Sequence, residues 1–234
     1  MKLFFLVILF VGLPSLSASD EILIKSFSTS VEKQDGDVKR NLALAVEKLD
    51  GVIILPNSIF SFSDVVGEAS VQNGFVTGRV YYWNEAIYEP GGGLCQVSST
   101  LYNLLLLTGF IIKERHKHSQ PVSYVPMGLD ATIFYGKKNL KMQNPYSERF
   151  RLSAKLTDTT LTFSIYGNSP ILERYELEIE EEEHELPILK KEKSYRNAFS
   201  IFVYRKKYKG ENLLETSLLY KDFIPAVYYT NFQK

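Results

Sequence analysis

The chain has 234 residues, of which 45% are hydrophobic and 23% charged, an ordinary folded composition with room for one domain and an appendage, or for two small domains. Lysine plus arginine (27) balance aspartate plus glutamate (27), so neither a nucleic-acid surface nor a polybasic membrane patch is implied. Tyrosine and phenylalanine, 15 of each, suit a protein rich in strands.

Residues 1–19 have the layout of a secretory signal peptide. Met1-Lys2 gives a positive start, Leu3 to Leu13 an apolar run, and Pro14 to Ser19 a stretch of small residues with a cleavage point near Ala18 or Ser19. The run is short for a membrane span, so no stable span is expected after cleavage; an uncleaved anchor is the alternative. No cysteine stands near the cleavage point, which argues against a lipoprotein anchor. Export to the periplasm or cell wall follows as an expectation.

Asp35-Gly36-Asp37 introduces a helix whose Val38, Leu42, Ala45, Val46 and Leu49 share a face, with Gly51 closing it. Val52 to Leu55 reads as a short apolar strand stopped by Pro56-Asn57-Ser58, and Phe60 and Phe62 alternate with serines as a further strand before a turn at Asp64. Gly67, Gly74 and Gly78 punctuate a loop-rich passage, and Val80 to Trp83 leads into the central motif, as the front wall of a cleft.

That motif is Glu89-Pro90-Gly91-Gly92-Gly93-Leu94-Cys95-Gln96-Val97-Ser98-Ser99-Thr100. The glycines let a ligand come close to the backbone. Val97, Leu101, Leu104 and Leu105 then form one helical face, ended by Thr108-Gly109. Cys95, the sole cysteine, therefore falls at a helix N-terminus, where free N–H groups and the macrodipole favour a thiolate and could hold an oxyanion. A lone cysteine is often only a small buried hydrophobe. In an exported protein, however, an unpaired thiol is a liability unless buried, metal-bound or in use.

Ile111 to Ser119 reads as a strand with Ile112, Glu114, His116 and His118 on one face and Arg115 on the other. Val122 to Pro126 and Ala131 to Gly136 read as two more strands, around a turn holding Gly128 and Asp130. Phe150 to Leu156 and Leu161 to Ile165 alternate as a hairpin with one buried face. Gly167-Asn168-Ser169-Pro170 ends the main domain, assigned to residues 20–170. In residues 171–234, Tyr175, Leu177 and Ile179 alternate with glutamates in an acidic run read as a solvated strand face, and Ala198 to Tyr204 and Leu213 to Tyr220 read as two more strands. The fold class expected is α+β: a mixed, mostly antiparallel sheet packed with a buried central helix after the glycine loop, plus a small C-terminal β appendage.

Gly91 to Asn103, together with Glu114-Arg115-His116-Lys117-His118-Ser119-Gln120-Pro121-Val122-Ser123-Tyr124-Val125-Pro126, Asp130-Ala131-Thr132 and Tyr135-Gly136, resembles the signature of the VanW domain family; Phe60-Ser61-Phe62 and Val66-Gly67 fit as well. The similarity runs from about Ser26 to Gly167 and more loosely from Tyr195 to Pro225. It implies a cell-envelope protein, of a family named from a glycopeptide-resistance cluster, whose members are understood to act as L,D-transpeptidases through a cysteine nucleophile or as accessory proteins. Peptidoglycan stem peptides would be the partner, and no cofactor is implied.

On that reading Cys95 is the nucleophile, His118 the preferred base with His116 second, and Asp130 the residue orienting the imidazole. Gly92, Gly93, Gln96, Ser98, Ser99, Arg115, Ser119 and Tyr124 would line the substrate side. The plainer alternatives are half-buried histidines satisfied by hydrogen bonds, serines that cap the helix, and an arginine in a surface salt bridge. Two further readings compete. One is a zinc hydrolase liganded by Cys95, His116 and His118; the other is a non-catalytic module that binds peptidoglycan or glycopeptide.

Overall fold

A computed structural model of the chain describes residues 21–82, 85–185 and 194–229. The leader expected over residues 1–19, and Trp83, lie outside them. The elements are β1 (Ile22–Ser30), α1 (Gly36–Leu49), β2 (Ile53–Ile54), β3 (Ile59–Ser61), α2 (Phe62–Val66), a 3-10 turn (Val71–Asn73), β4 (Thr77–Tyr82), β5 (Glu85–Pro90), α3 (Leu94–Leu107) and β6 (Ile111–Glu114). There follow β7 (Lys141–Gln143), β8 (Phe150–Leu156), β9 (Thr160–Gly167), β10 (Glu173–His184), β11 (Ser194–Arg196), β12 (Ala198–Lys209), β13 (Asn212–Ile224) and β14 (Val227–Tyr229). The fold is mixed α+β with few helices, and every ladder among the described strands is antiparallel.

The largest sheet has the order β1-β9-β8-β2. In β9 alternate residues Leu161, Phe163 and Ile165 are fully buried, as a strand with one wet face requires. Helices α1 and α3 lie against this sheet and against each other. Asp35 caps α1 by accepting the Val38 N–H at 2.9 Å, and Val38, Leu42, Ala45 and Leu49 form its buried stripe. Helix α3 is buried almost all round, its polar residues included. Leu101, Leu104, Leu105 and Leu106 are fully buried, each stabilising the fold by about 1.5–3 kcal/mol relative to exposure.

Several stretches differ from the sequence reading. Phe62 opens the helix α2 instead of extending a strand, because its N–H goes to Leu140 O at 2.9 Å and Gly67 N–H closes back on Ser63 O. Strand β6 stops at Glu114, so His116 and His118 do not share a strand face. Residues 122–126 form a bend and residues 131–136 irregular chain leading into a turn closed by the lone bridge of Phe134 with Lys138, since the backbone at Leu129 and Ala131 is held by side chains of α3 and not by a neighbouring strand. Strand β1 was not foreseen; its small polar residues are bound across to β9, as in Ser26–Ser164 and Ser28–Thr162 at 2.7 Å.

The C-terminal strands form a sheet of order β10-β12-β13, with the glutamates of the acidic run exposed along β10. Its Ile201, Val203 and Ile224 belong to the same buried cluster as Leu101, Val125 and Leu129. Arg205 donates to Phe110 O at 2.7 Å, and Tyr102 and Tyr220 join hydroxyls at 2.8 Å. These strands share the core of the first 170 residues. No helix among the described residues is long and apolar enough to cross a membrane.

Candidate active site

The glycine loop is wedged between α1 and β4. Gly93 caps α3 at φ +100°, and a Cβ there would lie 2.7 Å from Val38 Cγ1. At Gly92 a Cβ would fall 2.5 Å from the Gly78 carbonyl carbon and 2.8 Å from Arg79 O, so the close approach of loop to strand demands a hydrogen there. Asn41 of α1 locks the arrangement: its amide donates to Val76 O (2.9 Å) and Gly92 O (3.1 Å), and its oxygen accepts the Val76 N–H (2.8 Å). The loop thus delivers Cys95 into the first turn of α3.

One edge of α3 then fastens the segment 129–132. Asn103 donates to Leu129 O at 2.7 Å, Ser99 Oγ accepts the Ala131 N–H at 2.9 Å, and Ser98 Oγ donates to Ala131 O at 2.5 Å. Both serines also donate to the Cys95 carbonyl. The segment after β6 runs alongside, with Thr132 N–H on His116 O at 2.7 Å and Arg115 Nε on Asp130 O at 2.7 Å. These bonds bring Cys95, His118, Asp130 and Thr132 together.

Half-buried Cys95 has Sγ 3.4 Å from Thr132 Oγ1 and 3.8 Å from Ile133 O. His118 Nδ1 lies 2.6 Å from Asp130 Oδ2, which also accepts the His118 backbone N–H at 2.6 Å. With Nδ1 so engaged, Nε2 is the ring nitrogen left for the sulfur. Burial opposes ionisation of Cys95, but hydrogen bonding and the charge of His118, helped by Thr132, outweigh it and hold the thiol below its ordinary range. Burial likewise opposes the imidazolium, yet Asp130 and Cys95 raise His118 to about 9. Asp130 is held below the usual carboxylate range against its burial, chiefly by His118 and then by Arg115.

The remaining residues expected in the site are spread more widely. His116 turns from the sulfur, its Nε2 3.1 Å from Glu114 Oε1. Gln96 points behind the helix, donating to Thr29 Oγ1 and Ser30 O and accepting from Gln34 Nε2. Arg115 is neither on a surface nor open to a substrate. Its side chain is 6% exposed, with its donors on Asp130, Asp222 and Gly128 O. Burial, followed by the charge of Cys95, raises the Tyr124 phenol well above its ordinary value. Ser119 is exposed, next to His118. Ser98 and Ser99 spend their hydroxyls on the backbone that positions Asp130.

Cys95, His116 and His118 do not converge as a zinc ligand set, and no group of three or more His, Cys, Asp or Glu residues suited to a metal occurs among the described residues. Sequence reasoning missed Thr132, whose only signal was its place beside Asp130 in the second motif. It also missed Tyr220 and Asp222, for which the sequence carried none.

A family model described as "VanW like protein" matches residues 38–166, more than half of the chain. The chain belongs to this family. The VanW match spans α1 to β9 and includes Cys95, Arg115, His118 and Asp130, while Tyr220 and Asp222 lie beyond it. The protein is similar to the uncharacterized protein YoaR of Bacillus subtilis, 34% identical over 134 residues, which cover 57% of this chain and 44% of YoaR. It is also similar to the vancomycin B-type resistance protein VanW of Enterococcus faecalis, 29% identical over 133 residues, covering 55% of this chain and 48% of that protein. The match thus spans a little under half the length of these curated relatives. No solved structure matches the chain.

Proposed function

We propose that the protein is a cysteine acyltransferase of the cell envelope that acts on peptidoglycan stem peptides, in the manner of an L,D-transpeptidase. The observation that carries this reading is the contact series from Cys95 at a helix N-terminus to His118 to Asp130. The envelope setting rests on membership of the VanW family, on the resistance named for the Enterococcus relative, and on the leader-like residues 1–19.

The thiolate of Cys95 attacks the carbonyl of the L-centred third residue of a donor stem. As the carbon–nitrogen bond to the terminal D-amino acid breaks, the imidazolium of His118 gives that leaving amine its proton. An amine of a neighbouring stem then attacks the thioester, His118 takes up its proton, and the thiolate is released. Asp130 holds His118 in the tautomer with Nε2 towards sulfur. In the first turn Leu94 N–H donates to Gly91 O and Gln96 N–H to Gly93 O. The amide between them, that of Cys95, is therefore the one offered to the oxyanion, with the Thr132 hydroxyl beside it.

Intact-mass analysis after mixing with muropeptides tests the reading. The expected result is an adduct on wild-type protein equal to the donor less its terminal amino acid, with none on Cys95→Ala. A carbapenem should acylate the same thiol. Absence of any adduct, with Cys95→Ala retaining its biological effect, would leave a binding module instead.

A further inference from the structure

Behind the cysteine–histidine site lies an ionic cluster that the C-terminal sheet completes. Arg115 Nη2 sits 2.9 Å from Asp130 Oδ1, on the opposite side of that carboxylate from His118, and its Nη1 sits 2.6 Å from Asp222 Oδ2 on β13. The three side chains are about a tenth exposed or less. The guanidinium stacks 4.6 Å from the Tyr220 ring, and Tyr220 donates its hydroxyl to Gly128 O at 2.7 Å. Arg115 thus grips Asp130 by its backbone oxygen and its carboxylate, while Asp222 and Tyr220 grip Arg115.

We infer that Asp222 is a positioning residue for the cysteine–histidine pair, acting through Arg115 to fix how the Asp130 carboxylate is shared between guanidinium and imidazole. The inference rests on the reading of Cys95 and His118 as a reacting pair. One buried cation facing two carboxylates leaves Asp130 enough charge to hold an imidazolium. With Asp222 neutral, the whole guanidinium charge falls on Asp130, its pull on His118 weakens, and the thiolate loses its partner. The groups facing these charges are Asp130, Asp222, Tyr102 and Tyr220 around Arg115, and Asp130 and Cys95 around His118. A strand outside the family match would therefore tune the reactivity of a site inside it.

The protein's sole cysteine allows a direct test, the rate of iodoacetamide alkylation against pH on the full chain. In wild type the alkylation midpoint should lie below that of an ordinary thiol. In Asp222→Asn, which keeps an oxygen for Arg115 but no charge, the midpoint should rise by about one unit, an about tenfold slower reaction at pH 6. Asp222→Glu should recover part of the loss, and Leu218→Ser, exposed on the same strand, should leave the profile unchanged. A purely structural loss would lower the melting temperature without moving the midpoint. If Asp222→Asn does not fold, Arg115→Met with Asp222→Leu, which removes the guanidinium together with its outer carboxylate and leaves Asp130 to His118 alone, should move the midpoint below that of wild type, and an upward shift there would overturn the inference. A folded variant with the wild-type midpoint overturns this inference alone. An ordinary thiol profile in wild type overturns the reacting pair and this inference with it.

Discussion

Asp130 Oδ2 accepts two hydrogen bonds from one residue, the ring Nδ1 and the backbone N–H of His118, each at 2.6 Å. One carboxylate oxygen thereby fixes both the place of His118 in the chain and the rotation of its ring. Its partner oxygen is held by Arg115, so the carboxylate is fixed from both ends.

Asp130→Asn should keep the shape and lose the charge. His118 would fall from about 9 towards an ordinary imidazole, and acyl transfer should drop by about 10³-fold or more. NMR titration of His118 and adduct formation on Cys95 read the two effects separately.

The two histidines separate cleanly. His118→Ala should raise the midpoint of thiol alkylation and abolish adduct formation. His116→Ala should leave both unchanged, because that ring meets Glu114 and not the sulfur. Equal effects of the two variants would contradict the arrangement.

Stability should depend on pH with opposite signs at the two ends of the His118–Asp130 pair. His118 is raised to about 9 when folded, against about 6.5 unfolded. Its contribution is complete below about 6.5 and is lost as pH rises through about 9, on the order of 3 kcal/mol. Asp130 is lowered on folding, so its contribution is present above about 3.9 and is lost as pH falls through its depressed value. Urea midpoints of wild type and His118→Gln should differ most near pH 6 and converge towards pH 10.

Gly92→Ala should destabilise the protein by about 2 kcal/mol or more, since the added methyl would meet strand backbone that cannot rotate aside. Thermal melting measures the loss. Alkylation of Cys95 should become less pH-selective as the loop shifts.

Local pattern alone was enough for α1, where an Asp cap, an apolar stripe at helical spacing and a closing glycine agree, and for the hairpin of β8 and β9 with its period of two. It was enough, too, to set Cys95 at the start of a helix, because glycine punctuation and the leucine period are both short-range signals. Alternation misled at residues 115–118 and 131–136, where backbone groups bond to Ser99, Asp130 and one another across the chain instead of in a ladder. Only the tertiary structure decided that His118 and not His116 meets Cys95, that Gln96 serves the core, and that Arg115 is buried. Nothing near Asp222 in the chain announces that its carboxylate lies 2.6 Å from Arg115, because a contact 107 residues apart depends on how separate sheets pack. The sequence names the groups that can react, but long-range packing chooses their partners.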